Sequence, residues 1–141
     1  MKKHTITKKE LVQEFMRGRS CAQCVLGEYG AELGYDRDET DRMAACFAGG
    51  MFMGQTCGAV TGGLMAIGLA CEDAAEAHEK AVRFTKEFAG RGGSCVCEQL
   101  LGCNVGIPEE REKARAEGKL LELCPDLVLN AMELLDELLD G

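Results

Sequence analysis

Met43-Ala44-Ala45-Cys46-Phe47-Ala48-Gly49-Gly50-Met51-Phe52-Met53-Gly54-Gln55-Thr56-Cys57-Gly58-Ala59-Val60-Thr61-Gly62-Gly63-Leu64-Met65-Ala66-Ile67-Gly68-Leu69-Ala70-Cys71 carries no charged side chain from one end to the other. A stretch of this length would suit a membrane span, and Gly50, Gly54, Gly58 and Gly62 recur every four residues as on a helix-contact face. It also holds seven glycines with Gln55, Thr56 and Thr61, and neither a basic cluster nor an aromatic belt flanks it. It therefore reads as the buried centre of a globular fold, with no membrane span. Gly49-Gly50 and Gly54 divide it into two helices joined by a turn.

Helix signals continue on both sides of this centre. Thr7 with Glu10 forms a capping box before Leu11, Val12, Phe15 and Met16, and Ser20 with Gln23 forms a second before Val25, Leu26, Tyr29 and Leu33. Thr40 or Asp41 is placed to cap a helix reaching Phe47, and Thr56 one carrying Leu64, Ile67 and Cys71. Ala77, Ala81, Phe84 and Phe88 mark a fifth helix closing near Gly90, and Ser94 opens a short sixth. Pro108 suits a first helical position, and the highly charged run Glu109–Glu117 behind it reads as a solvated face. Cys124-Pro125-Asp126 opens the last helix, whose stripe runs from Leu127 to Leu139. No strand alternation occurs. The expectation is an all-α bundle of six to eight helices around a buried Gly-rich central helix, in one domain spanning residues 1–141.

Twenty-four acids against sixteen bases give a net charge of −8, which disfavours a nucleic-acid or anionic-membrane surface. Two Tyr, five Phe and no Trp leave little for base stacking. No apolar run follows Lys2-Lys3 as in a signal peptide, so a cytoplasmic location with reduced thiols is expected. In that setting nine cysteines, an odd number, suggest a metal or redox site in preference to a disulfide framework.

Cys21, Cys57, Cys97 and Cys124 fall at or beside predicted helix starts, where free N–H groups and the helix dipole favour a thiolate. Four such ends in one bundle would receive a tetrathiolate anion, with helix N-termini as its only evident positive neighbours. Cys46, Cys71 and Cys103 read as small core side chains. Cys24 and Cys95 are near neighbours of these candidates. His4 falls in a terminal tail and His78 on a solvent-facing helix, so neither is a candidate ligand. No serine-hydrolase elbow, zinc-protease motif or phosphate loop occurs.

Ser20-Cys21-Ala22-Gln23-Cys24-Val25-Leu26, Cys57-Gly58-Ala59-Val60-Thr61-Gly62-Gly63, Cys97-Glu98-Gln99-Leu100-Leu101-Gly102 and Cys124 with Val128 occur in that order. The ordered set resembles the redox-active family named for its C…GCAxxG…C…C pattern, over roughly Leu11 to Leu135. This chain reads Cys57-Gly58-Ala59 where the family name reads Gly-Cys-Ala. The resemblance implies that Cys21, Cys57, Cys97 and Cys124 are the defining cysteines. The chain is also similar, more distantly, to the non-haem part of split-Soret cytochromes, which is helical and associated with an iron–sulfur centre.

Together these readings lead to a [2Fe–2S] cluster on four thiolates, used for electron transfer or redox sensing with a redox partner protein. Whether the chain is an enzyme stays open. The alternatives are a cluster-free thiol–disulfide protein, using Cys21-Cys24 or Cys95-Cys97, and a four-cysteine zinc module. The glycine-lined stretch and the Leu-rich last helix are surfaces that a homodimer could use.

Overall fold

The computed structural model describes residues 4–139. Eight α-helices appear among them: α1 (Lys8–Met16), α2 (Cys21–Glu32), α3 (Arg37–Ala44), α4 (Gly58–Ala70), α5 (Ala74–Gly92), α6 (Cys97–Leu101), α7 (Pro108–Ala116) and α8 (Lys119–Leu138). Among the described residues, extended pairing is limited to one antiparallel bridge between Thr56 and Val96. The fold is the expected all-α bundle, and α4 lies at its centre against α2, α5 and α8. No helix among the described residues is long and apolar enough to cross a membrane.

Both capping boxes form as the sequence predicts. Thr7 and Glu10 exchange bonds at the start of α1, and Ser20 and Gln23 do so at the start of α2. The main core then closes between α2, α4, α5 and α8, with Val25, Val60, Ile67, Phe84, Val128 and Leu135 in contact and fully buried. Its tightest seam joins α2 and α4. A Cβ on Gly62 would stand 2.8 Å from the Ala22 carbonyl oxygen and 3.0 Å from Ala22 Cα. One on Gly58 would stand 3.0 Å from Ala22 N. These obstacles are backbone, which cannot swing aside, so the two glycines set how near α2 lies to α4.

Several boundaries differ from the sequence reading. The charge-free stretch holds one buried helix, α4, where two were expected. Its first half is a 3-10 turn, Ala45–Phe47, followed by a left-handed turn at Gly49–Phe52. Gly49, Gly50, Met51 and Phe52 all have positive φ, between 57° and 64°, and a right-handed helix cannot pass through them. Cys46, Phe52 and Met53 are consequently exposed, so Cys46 is not a core side chain. Asp36, not Thr40 or Asp41, caps α3 by accepting the Glu39 N–H at 3.1 Å. Thr40 sits inside that helix, its hydroxyl bonded to the Arg37 carbonyl. Thr56 belongs to the bridge, and Cys57 takes the cap position of α4 without a side-chain bond. α5 begins behind Asp73 and runs past Gly90 to a left-handed Gly93.

The largest difference concerns α8. It starts at Lys119, after the left-handed Gly118, and Pro125 lies within it. A proline there removes the N–H that would bond the Leu121 carbonyl. The helix nevertheless continues, because Leu120, Leu123 and Cys124 pack on a second core of Cys97, Leu101, Val105 and Ala114. Cys124 is therefore an intrahelical residue and not a cap.

Candidate functional site

Cys21 occupies the first position of α2, Cys57 the cap of α4, Cys97 the first position of α6, and Cys124 the second turn of α8. Two local devices bring them together. The close α2–α4 approach sets Cys21 beside Cys57, its Cβ only 3.1 Å from where a Gly58 Cβ would lie. The bridge joins the two segments that carry Cys57 and Cys97, setting Cys57 opposite Cys95 and Cys97 opposite Gln55: the Cys57 N–H donates to the Cys95 carbonyl at 2.8 Å, and the Cys97 N–H donates to the Gln55 carbonyl at 2.5 Å. All four side chains line one cavity of about 550 Å³.

The other five cysteines stand elsewhere. Cys24, at 1% exposure, belongs to the main core, and Cys46 is exposed. Cys71 closes α4, Cys95 Sγ lies 3.4 Å from the Thr85 carbonyl, and Cys103 packs on the second core. Neither Cys21-Cys24 nor Cys95-Cys97 faces the cavity as a pair.

The four thiols are not equivalent. The neighbouring sulfurs of Cys124 and Cys57, with burial, hold the Cys21 proton well above the ordinary thiol range. The same contact with Cys21 lowers Cys57, against the effect of burial, and the Ala59 and Val60 N–H groups at the start of α4 help. Burial first, then the nearby Cys57 and Cys124 charges, pushes Cys97 up to about 12. The helix-start argument thus holds for Cys57. At Cys21 and Cys97, neighbouring sulfurs and desolvation outweigh it.

The rest of the wall is largely apolar, with Phe15, Leu101, Val105, Leu120 and Leu127, and with the left-handed turn at Gly49, Gly50 and Phe52. Gly50 is obligatory there, because a Cβ would stand 2.5 Å from Gln55 N and 3.0 Å from Cys97 Cβ. Arg19, Arg111 and Arg115 also line the cavity. Helix N-termini are therefore not its only positive groups, and α7 is more than a solvated face. An alternating charge run hides which side of a nine-residue helix turns inward. The buried Ala114, in the middle of that run, was the available signal.

His78 is exposed, as expected. His4 is not a loose tail. Its Nδ1 lies 2.8 Å from Asp136 Oδ1, its Nε2 lies 3.2 Å from Glu32 Oε2, and its ring stacks on Tyr29. That network is remote from the cavity and includes none of its lining residues.

Among the described residues, no three of His, Cys, Asp and Glu converge tightly enough to hold a single metal ion. Residues 19–138 match the model of a family described as "Putative redox-active protein (C_GCAxxG_C_C)", which takes in all four cavity cysteines. Neither the curated proteins nor the solved structures yielded a match.

Proposed function

The chain belongs to the redox-active family named for its C_GCAxxG_C_C pattern, and from that premise we propose that it is a one-electron carrier or redox sensor holding a [2Fe–2S] cluster on Cys21, Cys57, Cys97 and Cys124. One observation carries this reading: of nine cysteines, these four line the cavity and the other five do not. Four thiolates are the donor set such a cluster takes, two to each iron, so the site needs pairs and not a convergence of three donors. Cys21 adjoins both Cys124 and Cys57, and the charges of those two reach Cys97. When bound, the cluster would supply the one-electron chemistry. The chain's own residues exclude water with the apolar wall, orient the thiols from four helices, and offer the Ala59 and Val60 N–H groups to Cys57 sulfur.

A second reading has its own support. Cys21 is in contact with both Cys57 and Cys124, and Cys57 ionises most readily of the shifted thiols. A cluster-free chain would therefore form its disulfide from Cys21 with Cys57 or Cys124.

The test is iron, sulfide and zinc content of anaerobically purified protein across the nine single-cysteine variants. The cluster reading expects iron and sulfide in equal amounts, lost on Cys→Ser at positions 21, 57, 97 and 124 and kept on Cys→Ala at 46, 71 and 103. Zinc alone, or nine titratable thiols without metal, overturns it. In the latter case, loss of exactly two thiols on mild oxidation supports the disulfide reading.

A further inference from the structure

Arg111 differs from the other arginines of this acidic chain. Arg19 is held by Glu14 at 3.2 Å, Asp41 at 2.7 Å and the Gln23 carbonyl at 2.9 Å. Arg37 pairs with Glu28, Arg91 with Glu133, and Arg115 with Glu112. Arg42 and Arg83 have no such partner among the described residues, but both are exposed. Arg111 is half-buried on the cavity wall, and its Nε, like that of Arg19, is shut off from water without an acceptor, but unlike Arg19 its guanidinium makes no ion pair among the described residues.

Its neighbours in sequence do not neutralise it. Glu110 accepts the Asn104 backbone N–H at 2.9 Å, and Glu112 turns to Arg115 at 3.3 Å. In a chain with 24 acids against 16 bases, a partly desolvated cation without an acid stands out as a group suited to an anion.

We propose that the cavity takes a small organic carboxylate, its charged end on Arg111 and its apolar body along Phe15, Leu101, Val105, Leu120 and Leu127 toward the cysteines. A guanidinium matches a carboxylate through two parallel N–H bonds. The cavity, at about 550 Å³, is in the size range of small-molecule sites, and its mostly apolar wall with few polar groups has their composition. The inference stands on Arg111 and the cavity shape; a cluster on the four cysteines would take up part of the same cavity and confine the ligand to the remaining wall.

The experiment is calorimetric titration of the full chain, as purified, with octanoate, with octanamide as its uncharged counterpart, and with sodium sulfate as a charge without a body. Octanoate is expected to bind more tightly than either. Arg111→Gln is expected to weaken octanoate about tenfold or more, with Arg111→Lys in between and Arg42→Gln unchanged. Equal affinity for octanoate and octanamide overturns the proposal even if Arg111→Gln does not fold. So does sulfate binding as tightly as octanoate, octanoate failing to bind at millimolar concentration, or Arg111→Gln binding like the parent. Iron content is read on the same samples, so failure of the cluster reading is seen separately from failure of this one.

Discussion

α2 and α8 run side by side in the same direction, and each carries a polar group toward both of its ends. At one end Cys21 meets Cys124, and at the other Tyr29 meets Met132 and Asp136. The second end is saturated. The Tyr29 hydroxyl lies 2.5 Å from Asp136 Oδ1 and 2.8 Å from the Met132 carbonyl, and the His4 N–H donates to Asp136 Oδ2 at 2.9 Å. The first end is left open: thiols partner one another, a guanidinium has no acid, and the chain bends left-handed beside them. A buried polar group with all its partners rigidifies a fold, whereas one without them is available to a ligand. On the reading proposed above, the oxygen-rich end is structural and the sulfur-rich end carries the chemistry.

Separating the two ends by mutation gives the largest expected effect. Asp136 is 9% exposed and receives bonds from both Tyr29 and His4. Asp136→Ala removes these charge-assisted bonds and releases the chain before α1, at an expected cost of about 3 kcal/mol by urea unfolding. Asp136→Asn keeps one acceptor and should fall about midway. Iron content and cysteine reactivity should not move in either variant. If they change as much as stability does, the two ends are coupled and the division of roles is wrong.

The sequence makes the two ends unequally legible. Cys21 and Cys57 stand in local signals that a reader can use, a Ser-x-x-Gln box and a glycine-spaced helix start. Cys124 is reached by a mistaken route, since Pro125 reads as a helix start and lies within α8. Only tertiary packing of Leu120 and Leu123 tells the two apart. The helices of the main core, α1, α2, α4, α5 and α8, are visible through their apolar residues, because each buries a face there. The bridge at Thr56 and Val96 leaves no periodic trace, being one residue long on each side. His4 and Arg111 are missed for a related reason: each lies in a polar segment, and only tertiary packing shows that His4 meets Tyr29, Glu32 and Asp136 while Arg111 meets no acid.

An intermediate effect should appear with pH, on a side chain between the two ends. Cys24 lies on α2 three residues after Cys21, but it faces the core, and burial above all pushes its thiol up to about 11. The unfolded thiol ionises near about 8.5, so between these values the folded chain binds more protons. Its contribution to stability is complete below about pH 8.5 and disappears as pH rises to about 11. In metal-free protein, the urea midpoint should fall over that interval. Cys24→Ala should start lower, from lost packing, yet fall less steeply, the difference reaching roughly 3 kcal/mol at most. Identical slopes would mean that Cys24 is not held protonated by the core.

The smallest effect tests whether the open end stores strain. Met51 has φ 60° and ψ 35°, and Phe52 has φ 57° and ψ 20°, conformations that side chains with a Cβ adopt at a cost of about 1–2 kcal/mol each. Nothing comparable occurs at the other end, where every described residue from Ala22 to Tyr29 and from Asp126 to Asp136 is in right-handed helix. Met51→Gly removes the Cβ and its strain. It also gives the unfolded chain more freedom to lose, which offsets part of the gain. The net expectation is stabilisation by about 0.5–1 kcal/mol in thermal or urea unfolding. Phe52 forms part of the cavity wall and Met51 does not, so the Met51 variant should keep both iron content and octanoate affinity. Stabilisation with unchanged binding places the strain in the turn alone. Stabilisation with weakened binding means that the left-handed turn is what holds Phe52 against the cavity, and that the open end retains its strain to shape the site. Destabilisation would remove strain from the account of this end.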